Sequence, residues 1–473
     1  MKSIYLKTLL VLIAFVSVFS GAAAAQNAAR AAAPVEEKNV RGQMEFLAGD
    51  AMRGRGSGSE YEYLAGVYIA SQLRQFGVEP AGAGNSYIQI ITTTRTAFSA
   101  PPKLTYTSGG AAVALEHGRE MIALALSGPE TRGPLQKITL DEKPRAGAVA
   151  FIRLRESDAP ETVNQKLMPL LASGAAAVVV EETPAWRARW EAIAGRRLSF
   201  AKTEGVSEAR NAYNLIVASR AAAAALAAVA EGTEIVIKGE TAAPQVQKTW
   251  NAVGKIAGAD AALSSEVVLL SAHMDHLGVR ENVPGDDKIF NGADDDASGC
   301  VAVLELARAL AAGPRPKRTV YFAFFGSEEA GGTGSQYFVA TLPFPKEKLV
   351  ANLQFEMIGR PDPKVPADHL WLTGFERSTL GAELARQGAR LVADPHPQEN
   401  FFQRSDNYTL ARQGIVAHTV SSFNLHTDYH RPSDELDKID FAHMTRAIDS
   451  MINPVRWLVN SDFKPAWHEG KKP

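Results

Sequence analysis

A single cysteine, Cys300, is all the thiol this sequence carries. That excludes a disulfide framework and a thiolate cluster, so any bound metal must sit on His, Asp and Glu. Charge of one sign is scarce as well: 50 Lys and Arg against 52 Asp and Glu leave a net charge of −2. Nothing in that balance points to nucleic acid or an anionic membrane surface. Neither Gly-x-Ser-x-Gly nor His-Glu-x-x-His occurs, which removes the serine-hydrolase elbow and the zincin helix. Internal repeats are absent. What is present is globular composition, 46% apolar over 473 residues. That length predicts two domains or one decorated domain.

The N-terminus reads as a signal peptide over residues 1–25. Lys2 and Lys7 give a positive start, Leu9 to Phe19 an apolar run, and Ala23-Ala24-Ala25 a small-residue cleavage site. The run is too short to span a bilayer comfortably, so no stable membrane span is expected after cleavage. The protein is expected to be secreted or periplasmic. Gln26 to Val35 is an Ala-rich leader.

Helical spacing predicts a helix from Val40 through Leu47. A second carries Tyr63, Val67, Tyr68, Ala70, Leu73 and Phe76 and is closed by Gly77. The turn between them is Arg53-Gly54-Arg55-Gly56-Ser57-Gly58. From 101 to 245 the character changes, with apolar strands at 147–153 and 177–180 around a helix, a βαβ unit without a catalytic constellation. From Trp250 onward apolar strands alternate with helices. The helix after Ser298 turns Cys300, Val303, Leu304, Ala307 and Leu310 inward, with Glu305 and Arg308 off that face. A last helix, through Phe441, Met444, Ile448 and Met451, is expected to end at Pro454. The predicted fold is α/β: a mixed, mostly parallel central sheet with helices on both faces, plus an inserted smaller α/β accessory domain. Its parts are 36–100 and 246–473 for the main domain and 101–245 for the insert.

Five stretches carry chemistry, each at a strand end or helix start. Ser271-Ala272-His273-Met274-Asp275-His276 follows the strand ending at Leu270, where open α/β sheets bind ligands. Asn291-Gly292-Ala293-Asp294-Asp295-Asp296-Ala297-Ser298-Gly299 leads into a helix. Asp296 or Ser298 can cap it, but one cap does not need three consecutive carboxylates, which favours metal binding. Phe325-Gly326-Ser327-Glu328-Glu329 follows the most apolar strand. Adjacent carboxylates there need a cation or a proton, and they can divide labour between ligand and proton acceptor. A strand ending in Glu356 and the loop His426-Thr427-Asp428-Tyr429-His430-Arg431-Pro432-Ser433-Asp434 complete a set of nitrogen and oxygen donors suited to a two-zinc hydrolytic site.

By the motifs Ala272 to His276, Gly292 to Gly299, Ser327 to Gly331 and Asp428 to Asp434, the sequence resembles the M28 family of zinc aminopeptidases. The insert resembles a protease-associated domain. The resemblance implies two Zn2+ per chain, one on His273 and Glu356, the other on Glu329 and His430, with Asp295 bridging. It implies Glu328 as general base, Asp275 as orienting partner of His273, a cis peptide between Asp295 and Asp296, and a peptide or protein substrate. Where the family commonly has Asp, this chain has Glu356, a residue that accompanies carboxypeptidase activity in related di-zinc peptidases. Carboxypeptidase action on the same site is therefore one alternative. A single-zinc glutaminyl-cyclase-like acyltransferase and a non-catalytic binding protein on the same scaffold are two others.

Overall fold

Helix α1 (Glu37–Leu47) comes first among the residues described by the computed structural model, 34–171, 173–207 and 213–473. The expected signal peptide and all but the end of the expected leader lie outside the described residues. Buried Val40, Gln43, Met44 and Leu47 recur at helical spacing and give α1 one inward face. Helix α2 (Glu60–Gln75) begins at Ser59, whose hydroxyl accepts from the Glu62 amide, and stops before Gly77 at φ +80°. Its inward face is Glu62, Ala65, Gly66, Ile69 and Leu73. Tyr63 and Val67 are each 41% exposed. Gly66 lies against Met274 and Ile88, so the small side of the helix faces in and larger residues turn outward.

Arg55, in the glycine-rich turn between these helices, is 1% exposed. Its guanidinium donates to the carbonyls of Leu47 (2.5 Å), Asn291 (2.7 Å), Met274 (3.0 Å) and Gly292 (3.0 Å). One planar cation thus ties three other chain segments together, at Leu47, Met274 and Asn291–Gly292. Arg55→Met is expected to destabilise by roughly 3–5 kcal/mol, the scale for breaking a buried charge network, because four carbonyls lose their donor. Chemical denaturation checks it; a change below about 1 kcal/mol would contradict this role.

The main sheet uses β1 (Gln245–Ile256), β2 (Val267–His273), β3 (Thr319–Phe325), β4 (Leu349–Phe355), β5 (Leu370–Leu372), β6 (Leu391–Ala393) and β7 (Ala417–Ser421). Their order is β6-β5-β7-β4-β2-β3-β1. The central strands β3, β2, β4 and β7 are parallel, while β1 and β5 pair antiparallel to their neighbours β3 and β7. Alternate residues of β2 feed opposite cores. Val268, Leu270 and Ala272 join residues of α1, α2, α3 (Gly299–Ala312) and α6 (Phe441–Asn460). Val267 and Leu269 join Phe338 of α4 (Thr333–Ala340) and Leu410 of α5 (Asn407–Ala411). The sheet is covered on both faces, and its architecture is the mixed α/β one expected.

Two local expectations fail. Glu305 is fully buried rather than turned outward. It accepts from Gln43 Nε2 at 2.7 Å and from Arg308 at 2.7 and 2.9 Å, partners that make its burial tolerable. Helix α6 also runs through Pro454 to Asn460. An interior proline costs about 3 kcal/mol. Val455, Leu458 and Val459 are fully buried beyond it, and each such side chain contributes about 1.5–3 kcal/mol, so continuation wins.

Residues Thr92–Gln247 form a second unit, distinct from the one made by the residues up to Ile91 and Lys248–Pro473. Within it, Val149–Ile152, the helix Pro160–Leu171 and Ala177–Glu181 make a parallel strand–helix–strand unit in which Val149 pairs with Ala177. Val149, Phe151 and Val179 face one core of this unit, and Ala150, Ile152, Val178 and Val180 the other.

Candidate metal centre

Parallel strands present their carboxyl ends on one side of a sheet, and ligands bind there where neighbouring connections diverge. Here β2 ends at His273, β3 at Phe325 and β4 at Phe355. The chain leaves β2 for β3 on one side and β4 on the other, which opens a crevice above β2. Glu328 and Glu329 follow β3, Glu356 follows β4, and the loop carrying His426 and His430 follows β7.

The three consecutive aspartates divide their work. Asp296 accepts from the amides of His273 (3.1 Å), Gly299 (3.0 Å) and Met357 (3.2 Å), and so joins β2, α3 and the end of β4. Asp294 accepts from the Gly359 amide at 2.7 Å and lies 3.1 Å from His426 Nε2. Asp434 accepts from the amides of Asp294 and Asp295 (each 3.1 Å at the nearest oxygen) and from Arg360 (3.1 Å). Asp295, left with a free carboxylate, faces the crevice, and the peptide joining it to Asp296 is cis.

Two donor groups meet on Asp295. Oδ1 lies 3.1 Å from His273 Nε2, and Glu356 belongs to the same group. Oδ2 lies 3.2 Å from His430 Nε2, which is 3.1 Å from Glu329 Oε1. His273, Asp295, Glu329, Glu356 and His430 are therefore brought together, with one aspartate oxygen turned to each side. His276 lies here too, in a second metal-sized group with Asp295 and Glu329. It stands in the His-x-Asp-His run, but nothing in its spacing gave it a role. Asp275 also lies against His273. It meets His273 Nδ1 through its main-chain carbonyl at 3.2 Å, its carboxylate being 3.8 Å away. That carboxylate instead accepts from the amides of Glu328 (3.0 Å) and Glu329 (3.3 Å) and from the Ser57 hydroxyl (2.5 Å). Its position between β2 and the Glu328–Glu329 turn makes it a brace for that turn. Glu62 does the same from α2, accepting from the Ser327 amide at 2.7 Å. Its place in a helical stretch hid it.

Electrostatics favour a cation. Burial lifts the carboxyls of Glu328 and Asp296 well above their ordinary values, with His273 opposing, and lifts Glu356 to about 7. Burial raises Asp295 too, but His273, His276 and His430 hold it well below the ordinary value. The ligand atoms point at one another without bonding: His273 Nε2, Glu329 Oε1 and Glu356 Oε2 are buried and lack hydrogen-bond partners. Orphaned donors and acceptors of this kind are costly unless something sits between them. Nitrogen and oxygen donors on this spacing fit zinc.

Burial lowers the His430 pKa, but hydrogen bonds and charge from Asp295 and Glu329 outweigh it and raise the value to about 9. A ligating imidazole must lose that proton. Asp295 and Glu329 are already held below their ordinary values, so the affinity for the ion on the His430 side is expected to rise about tenfold per pH unit as pH climbs toward 9, then level off. Chelator competition across that range measures it, and a flat profile between pH 6.5 and 9 would contradict the assignment of His430.

With this geometry described, likeness to known proteins takes on meaning. Residues 251–455 match Peptidase family M28, and all five donors named from the sequence lie in that segment. Among curated proteins, 81 residues are 43% identical to Leupeptin-inactivating enzyme 1 of Streptomyces exfoliatus, covering 16% of this chain and 18% of that protein. A stretch of 101 residues is 39% identical to an aminopeptidase of Pseudomonas aeruginosa, covering 21% of this chain and 16% of that one. The chain thus spans less than a fifth of the length of either relative. A solved aminopeptidase from Aneurinibacillus sp. strain AM-1 superposes with a TM-score of 0.49 at 20% identity, over 93% of this chain and 96% of that one.

Proposed function

We infer that this protein is an exported two-zinc exopeptidase, and that it acts as an aminopeptidase. One observation carries the reading: Asp295 offers its two oxygens to two separate donor groups at the carboxyl ends of parallel strands. One ion would be held by His273, Asp295 and Glu356, the other by Asp295, Glu329 and His430. Zinc held there would supply a Lewis acid for the scissile carbonyl and lower the pKa of a bound water. Glu328, whose carboxyl burial makes unusually basic, is the residue placed to accept a proton from the attacking water and hand it to the leaving nitrogen. Asp275 holds the amides of Glu328 and Glu329 and so fixes the base relative to the neighbouring ligand. The leader at 1–25 supports export, and no helix among the described residues is long and apolar enough to cross a membrane. We assign 101–245 as a protease-associated-like accessory module, supported by the separate cores of that region.

Beside Glu356 a pocket is lined by Trp371, Phe401, Phe423 and Tyr429, with Arg404 and Ser405 on its wall. Its aromatic lining suits an apolar terminal side chain. Glu356 on its lining, with Glu328 and Asp406 as neighbouring acidic groups, favours a substrate end that is a cation, the free amine. Arg404 is the feature a carboxypeptidase would use instead. Tripeptides with an apolar first residue, assayed with zinc and with one end blocked at a time, separate the two. Acetylation of the amine is expected to abolish hydrolysis, and amidation of the carboxyl end to be tolerated. The reverse pattern would establish the carboxypeptidase, and cleavage of neither would remove the exopeptidase reading.

A further inference from the structure

Resting on the two-zinc reading, we propose that His276 is a direct ligand of the second ion, which this chain then holds with four side chains, His276, Asp295, Glu329 and His430. His276 Nδ1 is 2.9 Å from Glu329 Oε1 and 3.8 Å from Asp295 Oδ2. With the 3.1 and 3.2 Å separations from His430 to the same two carboxylates, these distances surround one point. Donors about 2.0–2.2 Å from a tetrahedral zinc stand roughly 3.3 Å from one another, which is the spacing seen.

The alternative is a histidine that only orients Glu329 through a hydrogen bond. Its geometry argues against that. Although 2.9 Å separates the atoms, Nδ1 and Glu329 Oε1 are both buried without a hydrogen-bond partner, so the ring nitrogen is not aimed along the line between them. Two atoms aimed at a common third point look like this; a bonded pair does not. The imidazole is fully buried, and its Nε2 has no partner either, a costly arrangement for a side chain with no further task. The surrounding chain is shaped to this ring. Gly292 holds φ +58°, and a Cβ there would come within 2.5 Å of His276 Cγ and 2.6 Å of Cδ2.

Four side chains close the second position, while His273, Asp295 and Glu356 leave the first one open, the division that separates retained from exchangeable zinc. The wild-type protein is thus expected to keep one zinc through dialysis against a chelator that strips the other. Zinc X-ray absorption on the two-zinc protein should report three imidazoles shared between two ions. His276→Ala and His276→Gln should each lower the affinity for one ion by about 100-fold or more, the upper end of what loss of an outer partner costs, and leave two imidazoles for whatever zinc is bound. Unchanged chelator resistance in either folded variant would overturn the assignment, as would two imidazoles in the wild type, which needs no variant to fold. Both results would leave the two-zinc reading standing. A wild-type protein that takes up no second zinc would remove reading and assignment together.

Discussion

Replacing Glu328 by glutamine is expected to lower kcat by about 100-fold or more while the protein keeps its zinc and its fold. The substitution preserves shape and removes only the ability to take a proton. Among the described residues, no side-chain hydrogen bond of Glu328 is lost, since its ties run through its amide to Asp275. Stability moves the other way. Burial raises the Glu328 pKa above its unfolded value, so in the metal-free protein this group favours folding at low pH and penalises it as pH rises through the folded pKa. A permanently neutral glutamine escapes that penalty, and the metal-free variant should melt no lower than the parent at pH 7. Steady-state rates on zinc-quantified protein are the check. Near-normal turnover with full metal would show that another group moves the proton.

Asp295→Ala is expected to have a larger effect, because one side chain serves both donor groups. Without it, His273 is left with Glu356 on one side and Glu329 with His430 and His276 on the other, and the carboxylate that both groups share is gone. Zinc content after chelator dialysis should fall to near zero, and activity by about a thousandfold or more, beyond the 10–100-fold typical of an outer partner. Loss of a single ion with the other retained at parental affinity would mean that the aspartate does not bridge. Asp294 and Asp296 make a useful contrast. They carry the same functional group one residue away, but their oxygens already accept main-chain amides from β2, α3 and the turn after β4. Substituting either should act on stability as well as on metal.

The fold and most of the centre were legible from the sequence because both rest on local pattern. Apolar runs such as Val267–Leu270 mark buried parallel strands, and a donor placed directly after such a run must emerge at the strand's carboxyl end. That logic reached His273, Glu328, Glu329 and Glu356. It could not reach Glu62 or Arg55, whose partners Ser327, Met274 and Gly292 lie more than 200 residues away in the chain. Nor could it separate the carbonyl of Asp275 from its carboxylate as the group that meets His273, since that choice is made by the turn at Ser327, with φ +54°, drawing the carboxylate to its amides. The overrun of Pro454 has a related origin: a local penalty was outweighed by burial of residues that follow it.

The grip of Asp434 on the amides of Asp294 and Asp295 has a consequence in time. During synthesis, His273 and Asp295 emerge well before the residue that fastens the aspartate loop, and His430 emerges only just ahead of it. Until Asp434 has been made, the loop of Asp294 to Asp296 lacks the carboxylate that holds its amides, so the orientation of Asp295 is set late in synthesis.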